Sequence, residues 1–443
     1  MFNEFATPLL YRTVFLVGYR PIESMLSSHH RGHRYIRHFI VRGIRYWRYD
    51  FPYRINARDA SVLSVLKRLK EGQLATLELP PWARESWLEI PRQRGLEIVR
   101  FVDPDPLWET VDFEDLKLSE ISLQRVSQDI AYSVGGLLFA QSQSLRKLDL
   151  EFDFQRGHEI EETMYAGFMA KRGSNCQAVS NKAQGSAPFP RLEILSMKRV
   201  TTREGLQLFG GHGEGINSLR ELRLTTSNLA FRDLDPQLFW PRFPNISILT
   251  LENMGGENLG LDDLLMNCSL LRSLTLKYRY MGDYPKKESI CRHINLQYLW
   301  IERLGLSPIK AKHEEQFALE DMKFLDDITE LALAVKPALF PIFDLPKLRC
   351  LRFLQCEEGD ERRYIVLFQR ILMTGFFKGI DVLPSLKVFA PTGYQIYSLE
   401  RRRPVWGGSY LLPRRVDIYD IRYNHPDLRI LEADRSDTIN FTD

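Results

Sequence analysis

The most constraining feature of this sequence is a six-residue string with apolar residues at positions 1, 4 and 6, which recurs along almost the whole chain. Positions 4 and 6 face the same side of a β-strand, and position 1 reaches the core from the preceding turn. The strings are IRHFIV (36–41), LATLEL (74–79), LEIVRF (96–101), LRKLDL (145–150), LEILSM (192–197), LRELRL (219–224), ISILTL (246–251), LRSLTL (271–276), LQYLWI (296–301), ITELAL (328–333), LRCLRF (348–353) and LRILEA (428–433), with LKVFAP (386–391) as a weaker copy. One such strand cannot bury its apolar face, but stacked copies form a continuous core, so the strings predict a repeat array.

The spacing of the strings indicates the kind of repeat. Between Leu192 and Leu296, successive strings begin 27, 27, 25 and 25 residues apart, within the range of leucine-rich repeats. Elsewhere the steps vary from 20 to nearly 50 residues. The expected fold is therefore α/β: an irregular leucine-rich-repeat solenoid, with a curved parallel sheet on the concave side and helices and turns on the convex side.

The segments between the strings are predicted to be helices or turns that return the chain to the next strand. Asp59 can cap a helix that carries Val62, Leu66 and Leu69 on one face and ends at Gly72. Apolar residues at helical spacing also predict helices over 121–140, 258–268, 314–327 and 364–378. Residues 172–188 are small and polar with almost no apolar periodicity, which predicts a disordered insertion.

Composition indicates a folded protein of a reducing compartment. Of the 443 residues, 44% are hydrophobic and 26% are charged, which excludes a disordered chain. The five Cys are odd in number and scattered, unlike a secreted disulfide framework. No apolar run is long enough to span a membrane, and Arg12 and Arg20 interrupt the N-terminal apolar stretch that a signal peptide would need. We therefore expect a cytoplasmic or nuclear protein that does not contact membranes.

The N-terminal segment FATPLLYRTVFL (5–16) resembles the sequence that follows the F-box in many fungal F-box proteins. The phrases FPRLEILSMKRV and FPNISILTLENM are similar to the repeat region of the same group. The resemblance implies a fungal F-box/leucine-rich-repeat-like protein in which the F-box is truncated to its C-terminal tail. Residues 1–16 would then be this tail and a lead-in strand, 17–433 the solenoid and 434–443 a C-terminal tail. In that family the F-box docks on the linker subunit of a cullin-based ubiquitin ligase, and the matching contact remnant is Pro8, Leu9, Leu10 and Tyr11.

Side chains at positions 3, 5 and 7 of the strings should point away from the leucines and line the concave face. The predicted protein-binding residues on this face are Glu221, Arg223, Lys277, Tyr298, Trp300, Glu302 and Arg352. Tyr298 and Trp300 have the character of an interaction hot spot, since aromatic residues and Arg dominate such centres. The alternative is that loops or the C-terminal segment cover both rings, which then only pack. The basic residues of this face could pair with an acidic partner or be ordinary solvated charges.

The first 58 residues carry a net charge of +7, whereas the whole chain carries +3, too little for a global attraction to nucleic acid. Four His lie in this segment without a Cys or acidic partner, which favours a solvated basic loop over a metal site: His29, His30, His33 and His38. Arg residues interleave with aromatic ones in the same segment: Arg31, Arg34, Arg37, Arg42, Arg45 and Arg48. Nucleic-acid binding through this segment is therefore a less favoured function.

The sequence does not predict catalysis. The glycine-rich loop GGHGEG (210–215) lacks the Lys-Ser or Lys-Thr and the following helix of a phosphate-binding loop, so we interpret it as a turn. We expect no enzyme activity, no cofactor and no metal.

The expected function is that of a monomeric protein-interaction module, the substrate-recognition part of an F-box type adaptor, which would contact the ligase linker subunit if an F-box is completed. The alternative is a free-standing leucine-rich-repeat scaffold with no ubiquitin role. The identity of the bound protein is not readable from the sequence.

Overall fold

The structure is a computed structural model of the chain. It describes residues 11–17, 31–42, 52–80, 83, 85–104, 111–153, 157–178, 188–200, 206, 208–209, 216–226, 243–254, 261–278, 289–290, 292–303, 327–333, 345–354, 366, 383–390, 396–402, 410–416 and 423–428. The chain divides into two compact units. Unit 1 comprises Met1–Phe231 and Leu238–Phe243, and unit 2 comprises Arg232–Gln237 and Pro244–Asp443.

The described part of unit 1 contains parallel strands, each hydrogen-bonded to the next one along the chain. The strands are β1 (Thr13–Val17), β2 (His38–Arg42), β3 (Thr76–Leu79), β4 (Ile98–Val102), β5 (Glu120–Val126), β6 (Lys147–Phe152), β7 (Ile194–Val200) and β8 (Glu221–Thr226). The connections contain α1 (Pro52–Arg68), α2 (Gln128–Gln141), α3 (Gly157–Ala178) and two 3-10 helices, Arg31–Tyr35 and Glu85–Glu89. A parallel sheet in chain order, with helices among its connections, is an α/β arrangement, as expected from the strings.

Unit 2 continues the pattern and then departs from it. Its parallel strands are β9 (Ile248–Met254), β10 (Ser273–Tyr278), β11 (Tyr298–Arg303), β12 (Glu330–Leu333), β13 (Cys350–Phe353) and β14 (Val388–Ala390), with α4 (Leu261–Asn267) before β10. Strands β15 (Ile396–Arg402) and β16 (Tyr410–Val416) follow as an antiparallel extension. The sheet is therefore mostly parallel, and the parallel order expected for the whole chain ends at β14.

Alternation along each strand explains how the strings form the core. In β6, Leu148, Leu150 and Phe152 are fully buried, whereas Lys147 and Asp149 are half-buried on the opposite side. In the other strings the described residues at positions 1, 4 and 6 are likewise buried. We call the side of the strands that carries positions 4 and 6 the leucine face. The other side, which carries positions 3, 5 and 7, is the polar face.

A shared backbone contact links consecutive strings. The carbonyl at position 2 accepts hydrogen bonds from the N–H groups at positions 2 and 3 of the next string. In unit 1 the Arg146 carbonyl accepts from Glu193 (2.8 Å) and Ile194 (3.0 Å). In unit 2 the Arg272 carbonyl accepts from Gln297 (2.8 Å) and Tyr298 (3.1 Å). The strings are therefore repeats of one backbone geometry and not only of one apolar pattern.

The structure corrects the helix predicted over 121–140. Residues 118–123 (LSEISL) form an additional string, whose Ile121 and Leu123 lie in β5, and helix α2 begins only at Gln128. Ile121 and Val126 fit a helical spacing when read with α2, which is why the strand was missed. The two-residue alternation of Ile121 with Leu123 places both on the leucine face, where both are buried.

The other helices agree with the sequence in part. Helix α1 begins at Pro52, a residue suited to the first turn of a helix, and therefore earlier than the predicted cap at Asp59. The helix ends at Arg68, four residues before the predicted end at Gly72, whose left-handed φ of 68° belongs to the turn that follows. Residues 172–178, predicted to belong to a disordered insertion, instead form the last turns of α3, and 179–187 lie outside the described residues.

Of the remaining predicted helices, 258–268 corresponds to α4. Only Asp327 and Val366 are described within 314–327 and 364–378, so those two helices stay predictions. The domain boundaries after residues 16 and 433 also stay predictions. None of the helices in the described ranges combines the length and apolar character needed to cross a membrane.

Four repeats end their strands with a left-handed residue at the eighth position of the string. These residues are Asp103 (φ 53°), Arg125 (φ 59°), Arg199 (φ 63°) and Asn253 (φ 58°). In β5 and β7 the pairing with the next strand shifts at this point, and the residue that follows is buried. A left-handed residue in a strand creates a bulge, which here returns one more apolar side chain to the leucine face.

Candidate functional site

The polar face of unit 1 carries a row of charges of alternating sign across five strands. Glu78 on β3 accepts a hydrogen bond from Arg42 on β2 (Nε–Oε1 2.6 Å) and lies 3.7 Å from Arg100 on β4. Glu120 on β5 accepts from Arg100 (Nη2–Oε1 2.7 Å) and from Lys147 on β6 (Nζ–Oε1 3.2 Å). We call these five residues the charge row.

The geometry of the charge row determines its electrostatics. Burial alone would raise the pKa of Glu120, but the hydrogen bonds from Arg100 and Lys147 outweigh it and hold the pKa below its usual value. The hydrogen bond to Glu78 raises the pKa of Arg42. The Glu120 carboxylate therefore stays ionised between two cations, and each cation of the row lies beside a carboxylate on an adjacent strand.

Arg42 belongs to the basic N-terminal segment, residues 1–58, for which nucleic-acid binding is the less favoured function. Its guanidinium is paired with Glu78, and Arg45 and Arg48 lie outside the described residues. His38 Nδ1 lies 3.0 Å from the Thr76 hydroxyl oxygen, and His29 and His30 are outside the described part of the chain. Within that part, no group of three or more His, Cys, Asp or Glu side chains could hold a metal ion.

Strands β7 and β8 carry exposed charged side chains on the polar face of unit 1. Glu221 and Arg223 form an ion pair with each other, with the guanidinium of Arg223 largely exposed. Lys198 on β7 is exposed, and its Cα is in register with that of Thr225 on β8. We call Lys198, Glu221, Arg223 and Thr225 the β7–β8 surface. Two of the predicted binding residues, Glu221 and Arg223, thus lie together on a solvent-facing surface.

In unit 2 Tyr298 and Trp300 are buried, which agrees with the alternative of covered, packed rings and not with an exposed hot spot. Tyr298 is 6% exposed and Trp300 is 2% exposed, although both lie on the polar face of β11. The side chains of Lys277 and Arg352 lie over the Trp300 ring, with Nζ and Cζ at 5.5 Å and 5.0 Å from its centroid. The indole N–H of Trp300 donates to Glu302 Oε2 at 2.9 Å. The structure thus brings together five of the predicted binding residues, but around buried rings.

Strand register explains how two cations reach one ring. Trp300 pairs with Thr275 on β10 and with Ala332 on β12, and Ala332 pairs with Arg352 on β13. The small side chain of Ala332 leaves room for the guanidinium to extend over it to the indole. Lys277 is almost completely buried, and a charge in such a place needs a partner, which Glu252 supplies (Nζ–Oε1 3.1 Å).

Two buried ionisable groups near Trp300, the Tyr298 phenol and the Cys350 thiol, favour their neutral forms. Burial and the charge of Glu330 raise the pKa of Tyr298, against the effect of a hydrogen bond with Thr275. Burial likewise raises the pKa of the Cys350 thiol. At neutral pH the phenol and the thiol therefore keep their protons, and Cys350 lacks the thiolate character of a nucleophile.

Both sides of β11–β14 are buried, unlike those of β6. Cys350 and Val388 join the apolar cluster on the Trp300 side, while Leu351 and Phe389 are buried on the leucine face. The cluster comprises Tyr298, Trp300, Ala332, Cys350, Leu354, Val388, Ala390 and Leu428. We call the polar-face side of β11–β14 the Trp300 face. A sequence signal for this burial exists, because strands buried on both sides are nearly continuous apolar runs, as in YLWI and VFA.

Leu428 comes from the C-terminal string LRILEA, of which it is the only described residue. Its membership of the cluster agrees with the alternative that the C-terminal segment covers the two rings. Of the proposed ligase contacts, Tyr11 is half-buried two residues before the start of β1, and Pro8, Leu9 and Leu10 lie outside the described residues.

Compared with known proteins, the chain matches no family model and no curated sequence.

Proposed function

We propose that this chain is an irregular leucine-rich-repeat solenoid that binds another protein, as the substrate-recognition part of an F-box type adaptor for a cullin-based ubiquitin ligase. The observation that carries the first part is the shared position-2 hydrogen bond, which links consecutive strings in both units. Repeats that stack in this way build an extended surface from side chains of successive strands, which is the surface that such proteins use for binding.

The charge pattern of the polar face supports a protein as the ligand. In the charge row, cations alternate with Glu78 and Glu120, and on the β7–β8 surface Arg223 is paired with Glu221. A nucleic-acid surface would present cations together along the phosphate backbone. Mixed charges with a neighbouring exposed Lys198 suit a protein surface of similar composition.

The ligase role rests on the resemblance of residues 5–16 to the sequence that follows an F-box. Strand β1 begins at Thr13, directly after Tyr11 and Arg12, and it pairs with β2. The described chain therefore leads from the end of the proposed linker-docking segment into the first repeat strand with almost no intervening residues. Such a short connection would couple the position of the repeats to the ligase.

Two measurements on the full chain test the proposal. Binding of the purified linker subunit, measured by biolayer interferometry, tests the ligase role. Affinity purification with quantitative mass spectrometry tests recognition of partner proteins by the β7–β8 surface, using the variant Lys198→Glu/Arg223→Glu. The matched control is Lys67→Glu/Lys70→Glu, which reverses two exposed charges at the end of α1 and just after it.

We expect the β7–β8 variant to lose a defined set of partners that the α1 control retains. Equal partner sets for the wild type and both variants would contradict recognition through this surface. Partners without linker binding would favour the free-standing scaffold over the adaptor.

A further inference from the structure

Three large apolar side chains are exposed near the starts of β10 and β11 in unit 2. Met266 on α4 is 54% exposed, Leu270 between α4 and β10 is 51% exposed, and Ile294 before β11 is 65% exposed. Single apolar residues on a protein surface are ordinary, whereas a group of them marks an interaction site. We call Met266, Leu270 and Ile294 the apolar patch.

The repeat geometry brings the members of the apolar patch to one region. Leu270 and Ile294 lie in equivalent turns, each directly before position 1 of its string. Because β10 and β11 are paired in register, the two turns are neighbours, at the strand spacing of about 4.8 Å. The turn before β11 also packs on the end of α4, since the His293 ring is hydrogen-bonded to the Leu265 backbone, next to Met266. The three side chains therefore belong to one surface.

Leu270 and Ile294 differ in character from the residues at the same turn positions elsewhere in unit 2. The other described residues at the two places before position 1 of a string are polar or proline: Pro244, Asn245, Ser269, Asn295, Asp327, Pro346, Lys347, Pro384, Ser385, Pro426 and Asp427. The turn therefore forms without a large apolar residue, and Leu270 and Ile294 leave more than half of their surface in water. Folding of the repeats does not explain why these two side chains are apolar, whereas binding of a partner does.

Two arginines lie beside the apolar patch. Arg272 is exposed at position 2 of the string that forms β10, and Arg292 is exposed in the turn before β11. The pKa of His293 is lowered by burial and by the charge of Arg292, so this ring adds no positive charge at neutral pH. On α4, Asp262 is half-buried and hydrogen-bonded to a serine, and Asp263 is exposed. The exposed charge of α4 and these two turns is therefore positive on balance.

We propose that the apolar patch, with Arg272 and Arg292, is a second docking surface, whose partner is a protein segment that carries large apolar side chains beside carboxylates. The apolar side chains of the partner cover the patch, and its carboxylates pair with the guanidiniums, which suit carboxylate geometry. An anionic membrane is recognised by clusters of about 4–8 basic residues, so two arginines favour a protein. This inference rests on the proposed protein-binding function and adds a surface and a partner class.

A random peptide library displayed on phage tests the partner class on the purified full chain. Bound peptides are identified by sequencing for the wild type and for three variants. Leu270→Ser/Ile294→Ser removes most of the apolar patch, and Arg272→Glu/Arg292→Glu reverses the charge beside it. The matched control is Leu88→Ser/Tyr132→Ser, which changes two apolar residues of unit 1 that are also about half exposed.

We expect one class of peptides, rich in Leu, Ile or Phe together with Asp or Glu, to bind the wild type and the control. The affinity of a peptide of this class, measured by fluorescence anisotropy, should fall at least about tenfold in Leu270→Ser/Ile294→Ser. The charge-reversed variant should lose the same peptides and select peptides with Lys or Arg instead. All the substituted side chains are exposed, so the thermal unfolding midpoint should not change. If the serine variant unfolds, the charge-reversed variant decides alone.

Selected peptides without acidic residues, or peptides that bind both variants as well as the wild type, would overturn the docking surface. Binding of the wild type to phosphatidylserine vesicles, with loss of binding in both variants, would show a membrane surface and would also overturn the proposal. The acidic peptides should still bind Lys198→Glu/Arg223→Glu, because the β7–β8 surface lies in unit 1. Failure of this docking surface is therefore distinguishable from failure of recognition by the β7–β8 surface.

Discussion

Replacing Trp300 with Ala separates the structural role of this residue from its predicted role in partner binding. Removing a fully buried Trp costs about 3–5 kcal/mol of unfolding free energy. Lys277 and Arg352 would also lose a cation–π contact worth about 0.5–2 kcal/mol each. Glu302 would lose the hydrogen bond from the indole N–H. We therefore expect Trp300→Ala to lower the free energy of unfolding of unit 2 by at least ~3 kcal/mol.

Urea denaturation gives the free energy of unfolding of the chain. Hydrogen exchange at the Leu299 and Ile301 amides reports the stability of unit 2 separately. The second readout matters because a chain with two compact units need not unfold in one step. Trp300→Phe is the control: it keeps a ring beneath the two cations and should cost only about 1–2 kcal/mol. A loss below ~1 kcal/mol in Trp300→Ala, together with loss of partner capture, would refute the packing role and restore the hot-spot interpretation.

Four further substitutions test the fold of unit 1 by urea denaturation. A Cβ on Gly135 would lie 2.0 Å from the Met164 carbonyl oxygen on α3, so Gly135→Ala should lower the free energy of unfolding by ~2 kcal/mol or more. A Cβ on Gly136 would meet only the Lys171 side chain, at 3.7 Å, so Gly136→Ala should stabilise by up to ~1 kcal/mol. Effects of equal sign would contradict the packing of α2 against α3. Because the folded-state pKa of Glu120 is lowered, its stabilisation is present above the ordinary Glu pKa and is lost as the pH falls through the folded value. Glu120→Gln should therefore destabilise by ~1 kcal/mol at neutral pH and converge with wild type in acid, and a pH-independent difference would refute this. Arg125→Gly should stabilise by about 0.5–1 kcal/mol, since glycine adopts the left-handed conformation without strain, and a loss of stability would argue against the bulge at this position.

The strands could be predicted because their signal is local. An apolar residue two positions from another, such as Leu148 and Leu150, fixes which side of a strand is buried. The string at residues 118–123 was missed because Ile121 also continues the helical spacing of α2, so two periodicities overlapped. Overlap of this kind cannot be resolved from apolar spacing alone, and here the pairing of β5 with β4 and β6 decides the outcome.

The burial of Trp300 could not be predicted with the same certainty, because its causes are distant in sequence. Arg352 lies two strands away and Leu428 is a C-terminal residue, and neither position is fixed by the string around Trp300. Polar-face positions were assumed to be open to solvent, which holds for Arg223. The continuous apolar run YLWI is the one local pattern that indicates burial on both sides of β11.

The central claim, that successive strings form parallel strands in register, is tested most directly by disulfide trapping in the full chain. Ser196 and Arg223 are Cα partners on β7 and β8, on the same face, whereas Ser196 and Thr225 are offset by two residues. Disulfides require Cα atoms within about 7 Å, which suits the first pair and not the second. We predict that Ser196→Cys/Arg223→Cys cross-links under mild oxidation and that Ser196→Cys/Thr225→Cys does not, as read by mass spectrometry of the linked peptides. Equal cross-linking of both pairs, or preference for the offset pair, would contradict the repeat register.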